Sequence, residues 1–409
     1  MAEVLAFHGL LPVPEVVEKV AAVPYDVVDS EEAAVLAEGN PLSFLRVSRP
    51  EIELEPGVDL YSDPVYAKAA ANFKRLCEQA PLKLDAGRHL YVYSLKMGDH
   101  TQVGVIGAAS AADYDKDIIK KHEKTRQDKE DDRTRHVVTL RSHTGPVFLT
   151  YKDDAKIDGI VNSVMAADAL FDFTAPDGIV HKLWRVDEAL SAELSALFAD
   201  VPYLYVADGH HRAKAASRTA EYMREHNPAH TGKEEYNYFL SVIFPGSQLK
   251  ILPYNRVVQD LNGCDAACFM KELEAKFEIS ADGEKIPAEY GSICMYIDGQ
   301  WYTLKPRFDI ASLGVIEKLD VSILQDNVLA PMLGIDDPRT SKRIHFVGGI
   351  RGTGELEKLV DSGKYAVAFS MYPTTVEQMM DIADAGAIMP PKSTWFEPKL
   401  RDGLVSHNF

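Results

Sequence analysis

Apolar and polar positions alternate most clearly near residue 90. His89-Leu90-Tyr91-Val92-Tyr93-Ser94-Leu95 and Thr101-Gln102-Val103-Gly104-Val105-Ile106-Gly107 are rich in β-branched and aromatic residues, and the Met97-Gly98-Asp99 link between them predicts a hairpin. Residues 147–151, 203–207 and 238–244 read as further, more continuously apolar strands, and 211–225 as a long helix directly after the second of them. Nearer the N-terminus, 63–79 reads as a helix. So does 30–37, with Ser30 as N-cap, Glu31 and Glu32 in its first turn, and Gly39-Asn40-Pro41 as its stop. Beyond residue 260 the pattern predicts helix 264–277, strands 293–297 and 301–304, strand 344–347 running into a glycine-rich turn and a helix near Glu355, strand 366–370 and helix 376–385. This interleaving predicts an α+β (mixed α/β) protein.

At 409 residues, with 46% hydrophobic and 26% charged positions, the chain has a globular composition, enough for two or three domains of ~150 residues. The division expected is a core over 1–260 and an α/β lobe over 261–409. The net charge of -18 disfavours nucleic acid and anionic membranes as partners, so a site for an anionic substrate must concentrate positive charge locally. No run of ~18 apolar residues is present to span a bilayer. Met1 to Leu11 lacks a basic start and a cleavage signal. Four cysteines are too few for a disulfide-stapled fold of this length, and a cytoplasmic location with ordinary buried thiols is expected, including Cys264 and Cys268 on one helix.

Asp208-Gly209-His210-His211-Arg212 lies at a strand-to-helix join. Helix N-termini offer free N–H groups and the positive end of a dipole, which suits an anion. Gly209 permits a tight turn and close approach. His210, His211 and Arg212 then place three donors together, with Arg212 suited to a two-pronged grip on phosphate. The plainer alternative is a helix capped by Asp208 with solvated polar residues in its first turn. Adjacent His210 and His211 point apart on a helix, which disfavours a metal between them.

The charged run from His122 to His136 lacks the spacing of a zinc helix and fits either a salt-bridged helix face or a site in which carboxylates hold Mg²⁺ and Lys124, Arg126, Arg133 or Arg135 hold phosphate. The glycine-rich turn after 344–347, with Arg351, reads equally as a second anion-binding turn or a structural one. It matches neither familiar nucleotide-binding glycine pattern. Segment 390–399, with Lys392, Ser393, Thr394, Trp395 and Phe396, reads either as a ligand-covering strap or as a pinned surface loop. It is expected to approach the 208–212 turn.

Together, Pro24-Tyr25-Asp26-Val27-Val28, Asn40-Pro41-Leu42-Ser43-Phe44, His122-Glu123-Lys124-Thr125, Ala207 through Arg212 and Pro391-Lys392-Ser393-Thr394-Trp395-Phe396 resemble the domain-of-unknown-function family numbered ten-fifteen. The resemblance covers essentially the whole chain. The Asp-Gly-His-His-Arg turn is similar to the phosphate-binding motif of the ParB and sulfiredoxin-like fold, shared with free serine kinases. It implies a core of that fold, and transfer of a phosphoryl group from ATP, ADP or pyrophosphate to the hydroxyl of free L-serine with Mg²⁺ as cofactor. Under that reading the phosphate-binding residues are Gly209, His210, His211 and Arg212, with Lys124, Arg133 and Lys392 in support. The proton acceptor is Glu123, with Asp26 and Asp208 as rivals, His210 belongs to the catalytic set, and Asp208 is the candidate metal ligand. The competing expectations are a ParB-like nucleic-acid-associated protein and a nucleotide sensor without catalysis. Threonine, homoserine and a polyol are the alternative acceptors, since a single methyl such as that between serine and threonine is discriminated only modestly by a pocket.

Overall fold

In the computed structural model, which describes residues 2–80, 82–281 and 283–409, the expected hairpin is Tyr91–Met97 paired with His100–Ser110. Gly98 takes a φ of 59° in its turn, as a tight two-residue link requires. Met1, the first residue of the N-terminal stretch, lies outside the described residues, as do Pro81 and Asp282. Helices and strands alternate along the chain, giving the mixed α/β class expected.

The chain divides into two compact units, Met1–Leu249 with Pro398–Phe409, and Lys250–Glu397. The expected boundary lay between residues 260 and 261. The division found lies between 249 and 250, and the C-terminal residues rejoin the first unit.

A nine-stranded mixed sheet organises the first unit. Its order is Ile119–Lys120, Leu204–Asp208, Val147–Tyr151, Tyr238–Pro245, His100–Ser110, Tyr91–Met97, Val180–Arg185 and Phe171–Thr174, with Val4–Leu5 also pairing with His100–Ser110. The central strands are buried along their lengths, which explains their continuous rather than alternating hydrophobicity. Helices Ala155–Met165, Glu188–Asp200 and His210–Glu225 contribute Ile157, Leu194, Phe198, Ala213 and Ala216 to one core with Val92, Val105, Leu149 and Val206. A second core lies around Phe44, Phe73 and Leu76, where helix Asp63–Gln79 buries Val65, Ala69, Phe73 and Leu76 at helical spacing. A small sheet sets the C-terminal strand Ser406–Asn408 between Gly9–Leu11 and Ser142–His143.

The second unit has a six-stranded antiparallel sheet, ordered Phe277–Ser280, Gln300–Pro306, Ile293–Ile297, Val367–Met371, Tyr254–Val258 and Ile344–Gly348. The helix expected over 264–277 runs from Ala266 to Glu274, with Asp265 as its cap, and Phe277 instead begins a strand. Packing accounts for the glycine-rich turn. A Cβ on Gly348 would meet the Trp395 ring at 2.6 Å and one on Gly349 the Pro253 carbonyl oxygen at 2.8 Å.

Two local expectations are corrected. Asp29, not Ser30, caps helix Ser30–Leu36, because Ser30 Oγ donates to Glu51 while Asp29 and Glu32 form a reciprocal capping box. Cys264 and Cys268 are not buried thiols. They form a disulfide, with Cys264 half-buried and Cys268 exposed.

Candidate functional site

Strand Leu204–Asp208 delivers the chain to Gly209, whose φ of 92° turns it into helix His210–Glu225. The strand's register shifts between Val206 and Asp208, a bulge immediately before the turn. A Cβ on Gly209 would also meet Arg212 Nε at 3.0 Å, so the position is restricted both by conformation and by the guanidinium packed against it. This helix begins with no side-chain cap. The backbone N–H groups of its first turn therefore have no side-chain cap, at the positive end of a 16-residue helix.

Asp208 closes one side of the turn. Its Oδ1 accepts from Gly209 N at 2.8 Å and its Oδ2 takes Lys399 Nζ at 2.9 Å. Burial opposes its charge, but Lys399 and Arg212 outweigh that and hold the carboxyl well below the usual range. Lys399 belongs to the returning C-terminal segment of the same unit. That part of segment 390–399 therefore does reach the turn.

Arg212 is not presented for the two-pronged grip expected of it. Its side chain is only 8% exposed and donates to the Pro146 carbonyl and to Asp26 Oδ2, the latter at 3.3 Å. Burial works against its charge, and Asp26, Asp208 and Asp402 more than compensate, so it stays protonated. Asp402 is itself buried, which raises its pKa to about 7 despite the facing arginine. Beneath the turn lies a cavity of about 30 Å³ lined by Tyr25, Arg133, His136, His143, Arg212 and Asp402 among others.

His210 is buried, and burial together with neighbouring His122 keeps it neutral, well below the ordinary histidine value. The His122 backbone N–H points at its Nε2 over 3.5 Å, and the His122 ring meets it edge-on at 4.4 Å. With Nε2 accepting, the proton of the neutral ring sits on Nδ1, which faces Glu123 Oε2 at 3.6 Å. Glu123 is 54% exposed. His211 is half-buried, which lowers its pKa, and its Nε2 accepts from Arg126 N at 3.2 Å. The run 122–126 is thus a loop laid over the start of helix His210–Glu225, and the charged run becomes helical only from Gln127, in helix Gln127–Leu140.

Of the remaining candidates, Lys124 is exposed. Arg133 pairs with Asp132 at 2.8 Å and lies 4.2 Å from the Tyr25 ring centroid. Lys392 lies in the second unit, at a φ of 57°, with its ammonium over the Tyr254 ring. His122, Pro146, Lys399 and Asp402 are parts of this site that the sequence does not single out. His122 and Lys399 lie in segments that carry a signal. Nothing local marks Pro146 or Asp402.

Among the described residues, the only group of three or more potential metal ligands within reach of one another is Cys264, Cys268 and Glu272, which belongs to the second unit. Asp208, the expected metal ligand, holds an ammonium on one oxygen and a backbone N–H on the other.

No curated protein matches the chain. Among solved structures, similarity is found to a conserved hypothetical protein from Pyrococcus furiosus, at 15% identity and a TM-score of 0.35 over 75% of this chain and 94% of that one. It extends to a free serine kinase in complex with AMP, at 13% identity and 0.34 over 72% and 86%. SbnI with a C-terminal truncation, from Staphylococcus aureus, is 11% identical at 0.39 over 73% and 85%. No helix of the described residues is long and apolar enough to cross a membrane. Residues 4–322 match the family described as "Protein of unknown function (DUF1015)", and the chain belongs to that family.

Proposed function

We propose that the 208–212 turn binds the phosphates of a phosphoryl donor and that the chain transfers a phosphoryl group to the hydroxyl of free L-serine, giving O-phosphoserine. The observation that carries the reading is the uncapped start of helix His210–Glu225, entered through a left-handed glycine and flanked by Lys399 and the buried Arg212. Phosphate oxygens are met there by backbone N–H groups and fixed positive charge. The acceptor's identity rests on the resemblance of the turn to that of free serine kinases. ATP, ADP and pyrophosphate are equivalent donors under this reading.

Arg212 acts by stiffening the turn from beneath, through Pro146 and Asp26, and by supplying its charge at short range. Of the three carboxylates, Asp208 is held strongly ionised and is a poor proton acceptor. Asp26 is occupied with Arg212. Glu123, exposed and set beside the Nδ1 side of His210, is the base assigned to the serine hydroxyl. Mg²⁺ carried on the donor's phosphates would supply charge neutralisation, and such ions commonly rely on substrate phosphates more than on a protein cage.

The test is phosphoryl transfer to L-serine by purified protein with Mg²⁺ and each of the three donors, followed as O-phosphoserine by mass spectrometry. Arg212→Ala is expected to reduce turnover on the order of 10²-fold or more, as removal of a charge-stabilising group does. Glu123→Gln is expected to abolish turnover while leaving donor binding intact. Full activity in Glu123→Gln would remove it as base, and no product from any donor would overturn the kinase reading.

A further inference from the structure

We propose that Cys264, Cys268 and Glu272, in the second unit, form a redox-gated site for a soft divalent cation of the zinc class. The three residues recur every four positions, along one stripe of helix Ala266–Glu274 and the turn entering it. Their ligand atoms all lie within 4.8 Å of one another. Cys268 and Glu272 are exposed and Cys264 half-buried, so the stripe is open to solvent. The rest of the helix is anchored: Phe269 and Leu273 are buried on its other side, and Asp265 Oδ1 caps the Cys268 N–H at 2.8 Å. The donors are thus held on a fixed backbone.

The donor set selects the ion. Two thiolates and one carboxylate suit zinc-like cations and disfavour Mg²⁺ or Ca²⁺, which take oxygen ligands. Zn–S bonds of about 2.3 Å and Zn–O bonds of about 2.0–2.2 Å place neighbouring ligand atoms roughly 3.5–4 Å apart. Three protein ligands leave the fourth tetrahedral position to water.

The bond between the two sulfurs closes the site. Opening it takes a dithiol reductant, whose thiols become a disulfide while Cys264 and Cys268 each gain a proton. Binding of the cation then releases both protons as two metal–sulfur bonds form. Exposure of Cys268 gives such a reductant access. The gate shares no residue with the phosphate turn, and its test does not depend on catalysis.

The experiment is titration of the full chain with Co²⁺, whose thiolate charge-transfer absorption reports cysteine ligation, after reduction by a dithiol and removal of the reductant. The expected result is one Co²⁺ per chain, displaced by Zn²⁺. The absorption should be lost in Cys264→Ser and in Cys268→Ser, with their thermal unfolding checked against the parent. Glu272→Gln should weaken Co²⁺ binding on the order of tenfold or more, since losing a ligand costs at least what losing an outer-shell partner of a ligand does. A double Cys77→Ser, Cys294→Ser variant should still bind, and the disulfide-bonded chain should not. No thiolate absorption in the reduced chain would overturn the site, as would absorption that survives Cys268→Ser.

Discussion

Arg212 shows how one side chain serves both charge and shape. Its guanidinium hangs between the Pro146 carbonyl and Asp26 while its flank rests on the bare backbone of Gly209. Gly209→Ala is therefore expected to cost about 1–3 kcal/mol, since an L-residue with a Cβ is strained at a φ of 92° and the Cβ presses on the guanidinium. Chemical denaturation measures the loss, and donor affinity should fall with it. Unchanged stability and affinity would mean that the turn relaxes to a different conformation. Gly209 is legible in the sequence because a glycine set between an apolar strand and a polar helix start marks a sharp change of chain direction. Pro146 and Asp402 are not, because only the fold carries them to Arg212 from distant parts of the chain.

Helix starts differ along the chain. Asp29, Asp154, Asp187 and Thr375 each cap their helices with a side chain, whereas helices Asp63–Gln79, Gln127–Leu140, Gly352–Asp361 and the one after Gly209 have no such cap, and of these four only the last has a left-handed residue at its N-cap. The side-chain caps are structural. Asp154→Ala removes the acceptor for Lys156 N and Ile157 N and is expected to cost about 1 kcal/mol in denaturant unfolding without changing phosphate binding. A loss of binding would tie the Ala155–Met165 helix to the site. Capping is local chemistry and so is nearly readable. The pattern points to Ser30, one residue late, because the hydroxyl that would cap is engaged by Glu51 far along the chain. The long strands are readable from their period. The helix end at Glu274 is not, because Phe277 is drawn into strand pairing with Pro306.

Across the molecule, buried histidines set the response to acid. Burial lowers His122 and His136 from 6.5 to about 4 and His143 and His181 to about 3, and His210 falls in the same direction. Unfolded, these rings take up protons near 6.5, so the unfolded chain binds more protons and stability falls as pH drops below that value. Asp402 and Asp320, raised from 3.8 to about 7, bind protons in the folded chain over part of the same window and oppose the loss. The larger set of histidines predicts a net drop in melting temperature between neutral pH and about pH 5, read by calorimetry. A flat profile would show that the histidines are hydrated or paired. The order of synthesis adds a further consequence. Lys399, Asp402 and the strand Ser406–Asn408 join a unit whose other residues end at Leu249. A nascent chain must therefore hold an unfinished sheet, and an Asp208 without its lysine, while the whole second unit is translated. The 208–212 turn is completed only when that last segment emerges.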